Sequence, residues 1–288
     1  HKNVKNISIV AASEVIETSE PPIQAIKQKK DSSMVVAISL VKAGKADAVI
    51  SAGNTGALMA ASLFAVGRVA GVERPAIATI FPAKAGKVLL LDMGANVDCK
   101  PKHLLQFAKM GSIYSKYVMH VDNPRIGLLN IGEEPEKGNE LTISTYPLLK
   151  GAGLNFIGMV ESKEIFEGKV DVVVCDGFIG NLILKFGEST ATFIFDLLRD
   201  EFSSHPLLKI PLLFLVPAMH RLRGKVDYDE FGGAELLGLN GVVIKAHGRA
   251  TSKALKNAIR VAAESVKGKV VDFISSKAGL ATGGQGEI

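Results

Sequence analysis

The chain alternates short, nearly unbroken apolar runs with longer stretches whose apolar residues recur at helical spacing. The runs are Ile7–Ala12, Ala48–Ser51, Ala76–Phe81, Val88–Leu91, Arg125–Asn130, Asn155–Val160, Asp171–Cys175 and Val242–Ala246. A strand with one wet face alternates apolar and polar residues, whereas a continuous apolar run is covered on both faces. The pattern therefore predicts a mainly parallel sheet with helices on both sides, a three-layer α/β fold. The helices are expected at Ser32–Ala43, Thr55–Val69, Lys102–Tyr117, Glu140–Lys150, Leu182–Glu201 and Ser252–Lys267. In Lys102–Tyr117 the residues Leu104, Leu105, Ala108 and Ile113 form an inward stripe, and Pro101 sits at the start where its missing N–H costs nothing. Thr55–Val69 is apolar all round, as a central helix or a subunit interface would be.

Two stretches bear on membranes. Ala48–Gly67 carries no charge, but Ser51, Asn54 and Thr55 and three glycines interrupt it, so it reads as strand, turn and buried helix rather than a span. Pro206–Met219 is too short and too broken by proline to cross a bilayer. A basic cluster, Arg221, Arg223 and Lys225, comes directly after it. Its apolar residues, Leu212, Leu213, Phe214 and Leu215 among them, suit either contact with an anionic membrane surface or packing at a core or dimer interface.

The 288 residues are 47% apolar and 22% charged, which excludes a disordered, collagenous or coiled-coil chain. They are read as one α/β domain spanning 1–288, with a protruding apolar segment at about 205–225. The first residue is His1, so the natural N-terminal segment is expected to be missing. Two cysteines, Cys99 and Cys175, with no C-x-x-C, exclude a disulfide framework and suit a reducing, cytoplasmic setting. The net charge of +5 favours an anionic ligand or an acidic partner. With no Trp and few aromatics there is no stacking platform, so no nucleic-acid partner is expected.

The candidate chemistry lies in the turns at the strand ends. Five runs end in glycine-containing polar turns that precede helices: Ala52–Gly56, Asp92–Asn96, Ile131–Glu140, Asp176–Asn181 and His247–Ser252. In an open parallel sheet the carboxyl ends of strands share one edge, where ligands bind, and helix N-termini there attract anions. The five turns are therefore expected to converge on one anion pocket. Asn54, Asn96, Asn139 and Asn181 stand near helix starts, where Asn is also an ordinary N-cap. Asp92 and Asp176 end apolar strands, where an acid needs a partner or a cleft. Cys99 and Cys175 lie beside two of the turns, as core residues or as thiol nucleophiles. No G-x-x-x-x-G-K-[ST], strand-borne G-x-G-x-x-G or H-E-x-x-H occurs, which disfavours P-loop, Rossmann and zincin chemistry.

At these turns the chain resembles the PlsX family, the acyl-[acyl-carrier-protein]:phosphate acyltransferases of bacterial phospholipid synthesis. The matching segments are Ile50–Ala57, Leu90–Asp98, Leu129–Glu133, Lys137–Glu140, Cys175–Asn181, Tyr228, Phe231–Ala234 and Lys245–Gly248. They run in the family's order along most of the chain. The family's opening strand and Asp-Ala-Met-Gly-Gly-Asp turn are not present. The resemblance implies a fold like isocitrate and isopropylmalate dehydrogenases, a homodimer, and no metal or nicotinamide cofactor. It implies reversible transfer of a fatty acyl group from acyl carrier protein to inorganic phosphate. The acyl phosphate would pass to a membrane glycerol-3-phosphate acyltransferase, with the enzyme cytoplasmic and peripherally bound to the membrane.

On that reading phosphate attacks the thioester directly. Gly53, Asn54, Thr55 and Gly56 would cradle phosphate, with Asn96, Asn139 and Asn181 as further donors to phosphate or oxyanion. Lys137 and Lys185 would balance charge, and Asp92 and Asp176 would orient donors. His247 would protonate the leaving thiol, because an imidazole titrates near neutrality. Lys27, Lys29 and Lys30, or the basic cluster at 221–225, would meet the acidic carrier protein. Two alternatives are a phosphate acetyl- or butyryltransferase using acyl-CoA, and a metal-dependent dehydrogenase of the isocitrate type.

Overall fold

A computed structural model describes residues 6–84, 86–204 and 232–278. The helices α1 (Pro22–Gln28) and α2 (Ser33–Lys42) lead into β1 (Ala48–Ser51), α3 (Thr55–Ala65), β2 (Ala76–Ala83) and β3 (Gly86–Leu91). Next come α4 (Pro101–Tyr117), β4 (Ile126–Leu129), α5 (Glu140–Lys150), β5 (Phe156–Val160), α6 (Ser162–Glu167) and β6 (Val172–Val174). The long α7 (Gly177–Ser204), β7 (Ala234–Leu237), β8 (Val242–Lys245), α8 (Ser252–Lys267) and α9 (Val270–Ala278) complete the described chain. The apolar segment at 205–225, with Leu212, Leu213, Phe214 and Leu215, lies outside the described residues, as do Tyr228 and Phe231.

The eight strands form one sheet in the order β1-β8-β7-β2-β3-β6-β4-β5. Alternate side chains divide between two cores, as the unbroken apolar runs require. Leu89 and Leu91 of β3 join Ala76, Leu128 and Val172 under α4, α5 and α9, while Val88 and Leu90 join Val49, Ile77 and Val243 under α1, α2, α3 and α7. Gly111 lets α4 press onto the sheet, since a Cβ there would stand 2.7 Å from Val172.

Three antiparallel pairings, β8/β7, β7/β2 and β2/β3, break the expected parallel order. The others, β1/β8, β3/β6, β6/β4 and β4/β5, are parallel. β1, β2 and β8 therefore point one way, and β3, β4, β5, β6 and β7 the other. The β7 strand is a second departure: Ala234-Glu235-Leu236-Leu237 breaks its apolar run with a buried acid and is flanked by glycines. Ile7–Ala12, expected as a strand, has no partner strand and leaves Ile7, Ile9 and Val10 exposed. α3 stops at Ala65 instead of Val69 because Gly67 turns left-handed (φ 75°) and hands the chain to the β7 side, where Val69 N–H donates to Gly238.

Glu235 is fully enclosed between the sheet and α8, where the Ser265 hydroxyl donates to its carboxyl. Burial pushes its pKa from the ordinary 4.5 up to about 8. Folded protein thus holds this proton where unfolded chain has released it, so stability falls as pH rises from about 4.5 to about 8 and levels off above. Glu235→Gln, which carries no titrating proton, is expected to exceed wild type at pH 8.5 by on the order of 3 kcal/mol in urea unfolding, with the gap closing toward pH 4.5. A gap independent of pH would contradict this account.

Candidate functional site

The strand directions sort the five turns into two groups. The turns after β3, β4 and β6 lie at one edge of the sheet, and those after β1 and β8 at the opposite edge. Gly53–Gly56 and His247 thus follow strands that run opposite to those before Asp92, Asn96, Asp176 and Asn181, while the ladder register through β7 and β2 sets Lys245 level with Leu90, near the end of β3. The expectation that all five turns leave the sheet in one direction is corrected on this point. Its premise, one shared carboxyl edge, requires strands that all run the same way.

At the acidic edge, Asp92 is completely buried and is consumed by its own turn. Its Oδ1 accepts from the N–H groups of Ile77 (2.9 Å), Gly94 (3.2 Å) and Ala95 (3.0 Å). Its Oδ2 accepts from Asn96 N–H (2.7 Å) and Asn96 Nδ2 (2.9 Å). Burial holds its pKa above the ordinary carboxylate value, and these donors offset only part of that rise. Asn96 is buried too, and its Nδ2 also donates to Pro75 O at 2.7 Å. Neither residue offers a group to phosphate; together they fix the turn.

The start of α7 docks on that turn. A Cβ at Gly180 would collide with Asp92 O, and one at Gly177 would stand 2.7 Å from Asn96 O, so both must be glycine. Asp176 caps α7 by accepting from Ile179 N–H at 2.9 Å, and the Asn181 side chain packs against Gly94, whose φ is +123°. Lys185 is exposed about one turn beyond Asn181 along the helix. In the β4 turn, Asn139 caps α5 by accepting from Thr142 N–H at 2.9 Å, and Lys137 pairs with Glu134 at 2.8 Å. Both cysteines are held as thiols: burial and the nearby Asp92 push Cys99 up to about 12, and Cys175 is enclosed and driven well above its ordinary value.

The opposite edge carries the cationic side chains Lys245 and Arg249 and the imidazole of His247. Parallel pairing sets Ser51 of β1 beside Lys245 of β8, and Ala246 N–H donates to Ser51 O at 2.9 Å. Asn54 caps α3, accepting from Ala57 N–H at 3.0 Å, while its Nδ2 donates to Thr18 O at 2.9 Å. Thr55 and Gly56 are exposed in the first turn of α3, where backbone N–H groups have no intrahelical acceptor. The glycines here serve packing, since Cβ atoms at Gly53 and Gly56 would meet Met34 and Pro22 at 2.7 Å. His247 is exposed and accepts Arg249 N–H on Nδ1 at 3.2 Å. Of the carrier-protein lysines, Lys29 is tied to Glu20 at 2.7 Å, while Lys27 and Lys30 face outward on and just after α1, which packs on α3.

Lys245 is a residue of this edge that sequence reasoning passed over. It is half-buried at the end of β8, its ammonium donates to Ala246 O, and burial lowers its pKa. A lysine closing an otherwise apolar strand, Val-Val-Ile-Lys, was the available signal. No cluster of three His, Cys, Asp or Glu side chains fit to hold a metal occurs among the described residues. None of their helices is long and apolar enough to cross a membrane.

A family model described as "Fatty acid synthesis protein" matches residues 1–272. The chain is 51% identical over 270 residues to a phosphate acyltransferase of Pelotomaculum thermopropionicum, covering 94% of this chain and 79% of that protein. It is 52% identical over 273 residues to a phosphate acyltransferase of Halothermothrix orenii, covering 94% and 82%. Among solved structures, the EutD phosphotransacetylase from Staphylococcus aureus is similar in fold, with a TM-score of 0.58 and 15% identity over 92% of this chain and 80% of that one. A phosphotransacetylase from Streptococcus pyogenes gives 0.55 and 16% over 87% and 75%.

Removing the Asp92 carboxylate takes the shared acceptor from five donors, three of them buried. Asp92→Ala is expected to lose about 3 kcal/mol or more in urea unfolding, with Asp92→Asn intermediate. An alanine variant within about 1 kcal/mol of wild type would show that the turn holds without its anchor.

Proposed function

The chain belongs to the fatty acid synthesis protein family, whose members here are phosphate acyltransferases, and we propose that it moves a fatty acyl group reversibly from acyl carrier protein to inorganic phosphate. The acyl phosphate then serves phospholipid synthesis, delivered to a membrane glycerol-3-phosphate acyltransferase. The observation that carries the assignment to one edge is the side-by-side ending of β1 and β8. It sets the open first turn of α3, His247 and Lys245 at one place. The isocitrate-dehydrogenase-like variant of this α/β fold belongs to the same proposal.

Phosphate rests on the N–H groups of Thr55 and Gly56, with the Thr55 hydroxyl beside them. A phosphate oxygen attacks the thioester carbonyl, and a C–O bond forms as the C–S bond breaks. His247 protonates the leaving thiolate. The proton that phosphate gives up on acylation equals the one the thiol regains, so the imidazole ends as it began. Holding the two reactants together supplies several kcal/mol of the barrier, and donors aimed at the oxyanion supply more. Asp92, Asn96, Asp176, Asn139 and Asn181 build the opposite edge and hold the fold that carries this one. Lys27 and Lys30 offer charge to the acidic carrier protein beside the cradle, and the 205–225 segment places the enzyme at the membrane surface.

The homodimer has a candidate seam. Along α7, about 42 Å long, Phe178, Leu182, Phe186, Phe193 and Leu197 are exposed on one stripe. Such a surface, in monomers rare beyond a few hundred Å², fits a second copy of the chain.

Two measurements test these readings. Incubated with acyl carrier protein thioester and phosphate, the protein is expected to release acyl phosphate, and His247→Ala to lower kcat by about 100-fold or more. A preference for short acyl-CoA would replace the donor, and wild-type turnover by His247→Ala would remove its role. Phe186→Asp with Phe193→Asp is expected to halve the solution mass by light scattering; an unchanged mass would exclude the α7 stripe as the seam.

A further inference from the structure

Lys245 departs from the rest of its strand. Val242 and Ile244 bury against α8, and Val243 against α2 and α3. By the alternation of a strand, Lys245 points to the same face as Val243 and as its register partner Ser51, toward α3. Ser51 Oγ there accepts Gly53 N–H at 3.2 Å, so the lysine stands behind the turn that leads into α3. Its ammonium is folded back on Ala246 O, its own neighbour's carbonyl, and no carboxylate pairs with it among the described residues. A half-buried cation with no counter-charge among the described residues is costly to keep. The apolar stem alone would be served by Val, Ile or Leu.

We propose that Lys245 is a phosphate-binding residue: its ammonium leaves Ala246 O and meets the acceptor phosphate held at the first turn of α3. The proposal rests on the reading of that edge as the acyl-transfer site and adds to it the cation that answers the phosphate charge. Burial depresses the lysine's pKa, and a bound anion opposes that effect. The cation then does two things. It offsets the cost of drawing a dianion out of water, and it stays on the oxygens that keep their charge when the acyl group arrives.

The test compares Lys245→Met, which keeps the stem, with Lys245→Arg, which keeps the charge. With acyl carrier protein thioester as donor, Lys245→Met is expected to raise the KM for inorganic phosphate tenfold or more while the KM for the thioester changes less than twofold. Lys245→Arg is expected to recover most of the phosphate affinity. A phosphate KM within twofold of wild type in Lys245→Met would overturn the proposal. So would equal losses in both variants with matching falls in melting temperature, the mark of a structural lysine. A second measurement needs no acyl transfer: inorganic phosphate is expected to raise the melting temperature of wild type and of Lys245→Arg, but not of Lys245→Met. If wild type makes no acyl phosphate yet shows that pattern, the carrier-protein reading falls and the phosphate role of Lys245 stands. If phosphate stabilises all three alike, Lys245 has no such role.

Discussion

Strand polarity is the constraint on which the functional geometry depends. A sheet built only from right-handed parallel crossovers would bring every strand's carboxyl end to one side, and with it every polar turn. Here β2 returns antiparallel beside β3, and β7 pairs antiparallel with both β2 and β8. Those three contacts turn β1 and β8 over relative to β3, β4, β5 and β6. The turns after β1 and β8 are thereby delivered to the far edge, together with the start of α3. The packing of the two cores is indifferent to this reversal, because a strand buried on both faces alternates its side chains in either direction. The placement of chemistry is wholly governed by it.

The two edges then take different work. At one, a buried carboxylate gathers the N–H groups of its own turn, and α7 seats its glycines against the same backbone. Asp92 there resembles an N-cap extended over a whole loop: its oxygens replace the water that the N–H groups would otherwise need. A turn so fully satisfied has nothing left to offer a ligand, and its rigidity is what orients α7. At the other edge the N–H groups of Thr55 and Gly56 stay open, with an exposed imidazole and a half-buried ammonium beside them.

Most of the secondary structure was legible because burial on both faces leaves a plain mark. Seven of the apolar runs are strands, with ends shifted by a residue or two. The β7 strand was hidden because Glu235 interrupts it, and an acid in a short run signals a surface until the Ser265 hydroxyl and the enclosing α8 are seen. Ile7–Ala12 shows the converse, an apolar run with no neighbour to pair with. Strand direction left no mark, since a run leading into a glycine turn and a helix reads the same whichever way its neighbours point. The asparagines carried both meanings: Asn54 and Asn139 are N-caps, and Asn96 braces Asp92. Lys245 opens one of the family-matching segments, but its role depends on its sharing a face with Ser51, a fact of register.

Electrostatics then decides between the edges for an anionic substrate. A phosphate set among Asp92 and Asp176 would meet negative charge in a partly dehydrated setting, where unit charges 4 Å apart interact by about 4 kcal/mol even at an effective dielectric of 20. At the β1/β8 edge the same phosphate meets a helix N-terminus worth about 0.3–1 kcal/mol and a cation in addition. Glu20, whose backbone carbonyl lies near the Asn54 side chain, has its carboxylate taken up by Lys29. Two weak attractions thus replace a strong repulsion. The desolvation that makes the ammonium costly would also strengthen its hold on an oxygen anion, which matches the burial of Lys245 to a phosphate substrate.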